Sequence, residues 1–546
     1  MEDLKQNLRG ILKGEIADDE QTLDEFSRDA SVFELKPSLV VAPKDVEDIR
    51  NLVKFVSEQK QGGTNLSLTA RSAGTDMSGG PLTTSIVVDM KRHLSRVKDI
   101  GADFAVTEPG VFYRDFEHMA LMHDLLMPSY PASREICTVG GIVANNAGGE
   151  KSLTFGKTEN YVRRLKVVLR DGNEYTLQPL SRSELERKMD QKDLEGEIYR
   201  KVFKLVDGNF DLLREAKPRV SKNSAGYFLW NVWDKKTFDL TKLFVGSQGT
   251  LGLITEITFS LVHPKHHSRL LVIFMRDLEY LAQLVNEVLA HKPESFESYD
   301  DHTLKLALRF LPEIVKRIGK GRVYSLALQF TPEFRLILTS GMPKLILLAE
   351  FTGDSEKESR EKAEKAQQDI AHFRLKTLVT KTKLETKKYW VIRRESFNLL
   401  RHHVHGKHTA PFIDDLVVNP EYLPAFLPEL SEVMSHYKLT YTVAGHIGDG
   451  NFHIIPLMNL ADPESAKIIP ELSRKVYDLV FKYKGSMSGE HNDGLIRTPF
   501  LRQMYGDKIV QLFEETKKIF DPDNIFNPGK KVHVSMDYAM HHLLPK

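Results

Sequence analysis

The apolar positions fall into distinct textures along the chain. Leu4, Leu8, Ile11 and Leu12 recur at helical spacing until Asp18-Asp19-Glu20 interrupts them, which predicts a short helical arm over 1–35. From 36 the pattern turns to short β-rich runs separated by glycine clusters. Examples are Leu39-Val40-Val41, Ser85–Asp89, Leu165–Leu169 and Leu253–Phe259. Val46, Ile49, Leu52, Val53 and Val56 predict an intervening helix over 44–60. Beyond 265, strands alternate with amphipathic helices: Leu270–Phe274 before a helix over 277–291, and Lys344–Phe351 before a helix over 355–371. The charge run Glu356–Glu364 reads as the solvated face of that last helix. Residues 460–520 are mostly helical in pattern, and Asp521-Pro522-Asp523-Asn524 ends them. The mixture predicts an α+β fold, with no repeat and no low-complexity tract.

Composition narrows the classes. The 546 residues are enough for three or four domains or one large two-domain enzyme. With 76 Lys and Arg against 75 Asp and Glu, the formal net charge of +1 argues against a nucleic-acid partner. The single cysteine, Cys137, excludes an internal disulfide and any four-thiolate zinc or iron–sulfur centre built within this chain. No apolar run is long enough to span a bilayer, and the first residues carry no apolar signal core. A cytoplasmic enzyme is expected.

Neither a P-loop nor a strand-borne G-x-G-x-x-G is present, which disfavours NAD and ATP folds. Instead there are three small-residue loops: Arg71–Gly80, Pro131–Gly149 and Gly246–Thr255. Consecutive small residues let backbone N–H groups converge on a pyrophosphate and let a flat ligand approach the backbone. Each loop alone reads as a turn; three in one β-rich region point to an extended nucleotide.

In their order and spacing the loops resemble the FAD-binding domain of the vanillyl-alcohol oxidase superfamily. The branch they resemble is the FAD-linked 2-hydroxyacid dehydrogenases, which includes D-lactate dehydrogenase, the glycolate oxidase FAD subunit and D-2-hydroxyglutarate dehydrogenase. The likeness runs from Phe26–Ser31 to Phe526–Lys530. It implies a helical arm over 1–35, a PCMH-type FAD domain over 36–264 and a substrate-binding cap with an antiparallel sheet over 265–490. A helical segment over 491–546 would then return to the FAD domain. It also implies that Ser72, Ala73, Gly74, Thr75 and Asp76 hold the FAD pyrophosphate. Pro131, Ser133, Thr138, Gly140, Gly141 and Ala144 would run along the cofactor, Ile254 would touch the adenine side, and Asn527 would join the cofactor shell. Asp76 stands where Ser or Asn is usual; a carboxylate beside a pyrophosphate is unfavourable, so it is expected to point away or to accept hydrogen bonds from its own loop. No His or Cys is placed in the first loop to attach a flavin, which implies non-covalent FAD.

The second half carries His446-Ile447-Gly448-Asp449-Gly450-Asn451-Phe452-His453 and, later, Gly489-Glu490-His491. Two histidines seven apart across a glycine-rich turn, led in by a strand over 439–443, can converge on one ion, and Glu490 would complete a His₂–carboxylate set. On spacing alone, a surface loop is an equal reading. The resemblance implies a divalent metal, Zn with Mn or Fe as alternatives, on His446, His453 and Glu490. Asp449 would be a turn-former, His491 a base pointing elsewhere, and Arg393, in Trp390–Arg393, the carboxylate-binding arginine. The His-rich stretch 401–408 reads as a loop, with Lys407 or His408 able to close over substrate.

The implied activity is oxidation of a small D-2-hydroxy acid, with hydride passing to flavin. Ile455 stands where D-2-hydroxyglutarate dehydrogenases have an Asn, so lactate or glycolate is favoured over a dicarboxylate. Electrons would leave to a separate quinone, cytochrome, iron–sulfur or flavoprotein partner or to oxygen, with peripheral membrane association compatible. Two other classes stay open: an FAD enzyme like alkyl-glycerone-phosphate synthase, and a non-catalytic flavoprotein subunit of an electron-transfer complex.

Overall fold

The computed structural model of the protein describes residues 2–301, 303–305, 341–403 and 408–544. Near the N-terminus, a sheet is built from Glu15–Ala17, Leu39–Ala42, Ile86–Asp89 and Leu68–Arg71, in that spatial order. Leu39–Ala42 and Leu68–Arg71 both run parallel to the central strand Ile86–Asp89. The helix Val46–Gln61 packs on this sheet. Its first turn is capped by Asp45, whose side chain accepts from the Asp48 N–H, and it buries Ile49, Leu52, Val53 and Val56 at helical spacing.

A second, five-stranded antiparallel sheet orders as Val97–Ile100, Phe104–Thr107, Leu253–Ser260, Val162–Val168 and Glu174–Leu177. The third sheet is antiparallel and eight-stranded. Along it run Lys376–Val379, His267–Met275, Leu345–Gly353, Ser295–Asp300, Thr440–His446, Asn451–Met458 and His408–Thr409, with Ile413–Val417 also paired to Asn451–Met458. Helix Glu356–Asp369 covers part of it, burying only Ser359, Ala363 and Ala366 and carrying Lys362–Glu358 and Lys365–Asp369 pairs on its wet face. Among the described residues, no helix is long and apolar enough to cross a membrane.

One expectation needs correction. The arm over 1–35 is not all helix: after Glu2–Arg9, the residues Glu15–Ala17 form an edge strand antiparallel to Val40–Ala42. Three residues are too short to display a period of two, so nothing local announces that strand. After Glu490 the chain turns back to the small-residue loops of the first half: Gly494 N–H donates to Gln248 Oε1 (2.9 Å) and Leu495 N–H to Ser78 O (2.8 Å). The N–H groups of Glu490 and His491 donate to one and the same Asp415 oxygen, at 2.8 and 2.7 Å. Further on the chain also joins the first sheet: Leu68 N–H donates to Ile525 O (2.7 Å) and Asn527 N–H to Leu68 O (2.8 Å).

Candidate active site

The three small-residue loops meet. Gly74 takes φ +70°, in the left-handed region open to glycine, and so turns the first loop. Asp76 folds into that loop, accepting from Ser78 N–H (2.7 Å), Ser78 Oγ (2.7 Å) and Gly80 N–H (3.1 Å). Thr138 Oγ1 donates to Ser72 Oγ at 2.7 Å, joining the first loop to the second. Residues Val139–Asn145 are a short helix rather than a loop, and Gly140 lies so close to Pro109 that an added Cβ would come within 2.6 Å of it. Gly141 faces Ser72 in the same way, at 3.2 Å. Pro131 and Ser133 lie in a turn, held by Arg134 N–H to Pro131 O (3.0 Å) and Ile136 N–H to Ser133 O (2.9 Å). Ala144 O receives the Gln248 N–H (2.8 Å), and Ile254 is half-buried on the strand leaving the third loop.

Asn527 sits where the first and third loops meet. Its amide donates to Gly80 O (2.9 Å) and Gln248 O (2.7 Å), and its carbonyl accepts from Thr69 Oγ1 (3.1 Å). Both ends of the side chain are used on protein, so it clamps the first and third loops together. Three buried polar atoms on the second and third loops, Asn145 Oδ1, Asn146 Nδ2 and Ser247 Oγ, have no protein partner. Half-buried small residues beside orphaned polar groups are what an extended polar cofactor such as FAD would complete.

The histidine cluster abuts these loops. Asn145 Nδ2 donates to Glu490 O (3.0 Å), and Asn492 Nδ2 donates to Asn145 O (3.1 Å) and Gly246 O (2.9 Å). His446 ends the strand Thr440–His446, a tight turn over Ile447–Asp449 follows, and His453 lies on the returning strand opposite Ala444. Gly450, at φ +65° with its Cα hydrogen against Val418 O, allows the turn. Each histidine has its Nδ1 held: His446 by Glu297 Oε1 at 2.6 Å, His453 by the Asp414 carbonyl at 2.7 Å. Both Nε2 atoms therefore face Glu490 Oε1, at 3.1 and 3.6 Å. Two imidazoles and one carboxylate, with ligand atoms within 4.8 Å of one another and outer nitrogens anchored, fit a divalent cation. A second set, Asp414, His453 and His491, fits less well, because Asp414 already pairs with the buried Arg497.

His491 does not point elsewhere. Its ring stacks on His453 with centroids 5.0 Å apart, Nδ1 is 3.0 Å from Asp414 Oδ2, and Nε2 is 4.0 Å from Glu490 Oε1. Its side chain is 20% exposed against 5% for Glu490 and His446, so the cluster opens on the His491 side. Arg393 borders the cluster through Glu297, its Nη2 3.2 Å from Glu297 Oε2. Arg394 pairs instead with Glu150, Nε to Oε2 at 3.0 Å. The stretch 401–408 is not the loop expected where it is described: 401–403 end the helix Lys383–His403 and His408 opens the strand His408–Thr409, while 404–407, Lys407 included, lie outside the described residues.

Charge sets the protonation. Burial pulls His446 down, but Glu297 outweighs it and His446 is pushed up to about 9. For His491, burial is again outweighed, by Asp414 and Asp415, giving about 9, so it is not a free base while the ligands hold no cation. Burial and the neighbouring His491 hold His453 down to about 4. Burial would raise Glu490, yet Lys222 and His446 hold it well below the usual carboxylate range. Signs follow against the ordinary histidine value of about 6.5. The contributions of His446 and His491 are full below 6.5 and fade as pH rises through about 9; that of His453 is full above 6.5 and fades as pH falls through about 4. Thermal unfolding of chelator-treated protein is therefore expected to peak near pH ~6.5. A midpoint that keeps rising to pH ~9 contradicts this assignment.

Several residues of the site escaped sequence reading. Lys222, 1% exposed, places Nζ 3.0 Å from Glu490 Oε2 and 3.4 Å from Asp449 Oδ2. Lys157 Nζ donates to Asn223 O (2.8 Å) and Gly489 O (2.6 Å), and burial pushes it down to about 7. For Asp414 and Asp415 a signal existed: an acidic pair inside the apolar run Phe412–Val418 has no surface to face in a buried strand. Glu297 and Lys222 had none, since their partners lie far along the chain.

Comparison with known proteins agrees with this architecture. The "FAD binding domain" profile matches residues 37–178, and "FAD linked oxidases, C-terminal domain" matches 264–531. The chain is 27% identical over 526 residues to a D-2-hydroxyglutarate dehydrogenase of Pseudomonas putida, covering 95% of this chain and 50% of that protein. It is also 27% identical over 534 residues to a D-lactate dehydrogenase of Anaerostipes hadrus, covering 95% and 94%. The chain thus spans about half the length of the first curated relatives it matches. Among solved structures, p-cresol methylhydroxylase superimposes with a TM-score of 0.67 at 15% identity, over 98% of this chain and 97% of that one, a likeness of fold. Carrying both an FAD binding domain and the C-terminal domain of FAD linked oxidases, the chain belongs to the FAD-linked oxidases.

Proposed function

We propose that the protein oxidises a small D-2-hydroxy acid, of the lactate or glycolate type, to its 2-oxo acid. The observation that carries the reading is the convergence of His446, His453 and Glu490 beside the flavin loops, with Arg393 on one side and His491 on the open side. When bound, FAD supplies a hydride acceptor, and a divalent cation on His446, His453 and Glu490 supplies Lewis-acid polarisation. Arg393 orients the substrate carboxylate with paired N–H donors. His491 Nε2 takes the C2 hydroxyl proton, while Asp414 on Nδ1 keeps the ring aimed and balances the imidazolium that forms. C2 gives up its hydrogen with the bonding pair, so the substrate loses two electrons and two protons overall.

Relatives of equal identity bear dicarboxylate and monocarboxylate names, so the preference rests on local chemistry. Strand alternation puts Ile455 on the face of His453, while Ile454 enters the core. An apolar side chain there offers nothing to a second carboxylate, which would lose its hydration without compensation. One cysteine cannot anchor a cysteine-ligated cluster within residues 1–546, which favours a separate electron acceptor.

Anaerobic titration with D-lactate, L-lactate, glycolate and D-2-hydroxyglutarate tests this. Bleaching of the yellow flavin band by D-lactate or glycolate at lower concentration than by the dicarboxylate is expected. A flavin that none of the four reduces, or a clear preference for D-2-hydroxyglutarate, rejects the reading.

A further inference from the structure

Resting on that reading, we propose that Glu297 is a positioning residue that couples the cation site to the substrate-carboxylate site. It lies in the strand Ser295–Asp300, 1% exposed, in the interior of the eight-stranded sheet. On one side that strand pairs with Leu345–Gly353, which sets Glu297 opposite Leu348. On the other it pairs with Thr440–His446, the strand that delivers His446. The backbone beneath the carboxylate is thus held from both sides.

The two oxygens of this one side chain have different tasks. Oε1 lies 2.6 Å from His446 Nδ1, and Oε2 lies 3.2 Å from Arg393 Nη2. An anion on Nδ1–H fixes the tautomer, so that the Nε2 lone pair points at Glu490, and it makes that nitrogen a stronger donor to a cation. A carboxylate this deeply buried needs an opposite charge, and Arg393 supplies it while being held in one orientation. The guanidinium that faces the substrate carboxylate and the imidazole that faces the cation are therefore set by one group. A displacement of the carboxylate toward either partner is felt by the other, and such coupling is reciprocal.

Co²⁺ is a suitable probe, because its d–d absorption reports the ligand set directly. In Glu297→Gln the uncharged amide keeps the shape, but one of its ends can no longer accept a proton donor. Its Co²⁺ dissociation constant is expected to rise roughly 10–100-fold. The KM for the 2-hydroxy acid should rise about tenfold with a smaller change in kcat, and the visible FAD spectrum should be unchanged. Glu297→Asp, which retains the charge but is one methylene shorter, is expected to restore one of the two parameters and not both. It also serves if the Gln variant fails to fold.

Wild-type Co²⁺ affinity and KM in Glu297→Gln, or restoration of both parameters by Asp, would overturn the coupling while leaving the cation reading intact. A wild-type chain that binds no Co²⁺ would sink the cation reading itself, and the coupling with it. The behaviour of the wild-type protein separates these two failures.

Discussion

His491→Ala is expected to lower turnover of the 2-hydroxy acid by about 10²–10⁴-fold while FAD and the cation stay bound. The ring touches the cluster from its open side, with Nε2 4.0 Å from Glu490 Oε1 and Nδ1 on Asp414. Neither His446 nor His453 depends on it for its own anchor, since those are Glu297 and the Asp414 carbonyl. Removing the imidazole takes away the proton acceptor and leaves the ligand set standing. Stopped-flow reduction of the flavin, with metal content measured on the same sample, checks both halves. A variant that has lost FAD would put His491 in the cofactor shell, and one that reduces flavin at the wild-type rate would remove it from the chemistry.

The second large effect concerns stability. Arg497 and Asp414 are both fully buried and ion-paired, and Arg497 Nη1 also donates to Asn492 O at 3.1 Å. Arg497→Met leaves the Asp414 carboxylate in the interior without its guanidinium partner. Breaking a buried pair by removing one partner costs about 3–5 kcal/mol, chiefly the price of an uncompensated charge. A lowered unfolding midpoint in urea is expected, together with a shifted pH profile of flavin reduction, because Asp414 also orients His491. Adding Asp414→Asn should recover part of the stability and none of the activity. If Arg497→Met unfolds at the wild-type denaturant concentration, the buried pair is not a support of the site.

The elements that could be read from the chain are those whose evidence is local. The helix Val46–Gln61 shows its core stripe and its Asp45 cap within one stretch of sequence, and the wet helix Glu356–Asp369 shows its charges in the same way. The strand Glu15–Ala17 is invisible because it exists only through pairing with Val40–Ala42. Asn527 was legible as part of the cofactor region but not as a clamp, since Gly80 and Gln248 are remote from it in sequence.

The candidate site divides along the same line. The residue types and spacing of His446–His453 and Gly489–His491, and the three small-residue loops, were determined by the sequence alone, because a ligand set and a tight turn need particular side chains at particular offsets. Which nitrogen each histidine presents was decided only by tertiary structure. Glu297 reaches His446 from 149 positions away, Asp414 reaches His453 from 39 and His491 from 491 − 414 = 77, and Lys222 reaches Glu490 from 268. Orientation and charge in a buried site are set by whatever packs against it, and packing partners leave no periodicity in the chain that meets them.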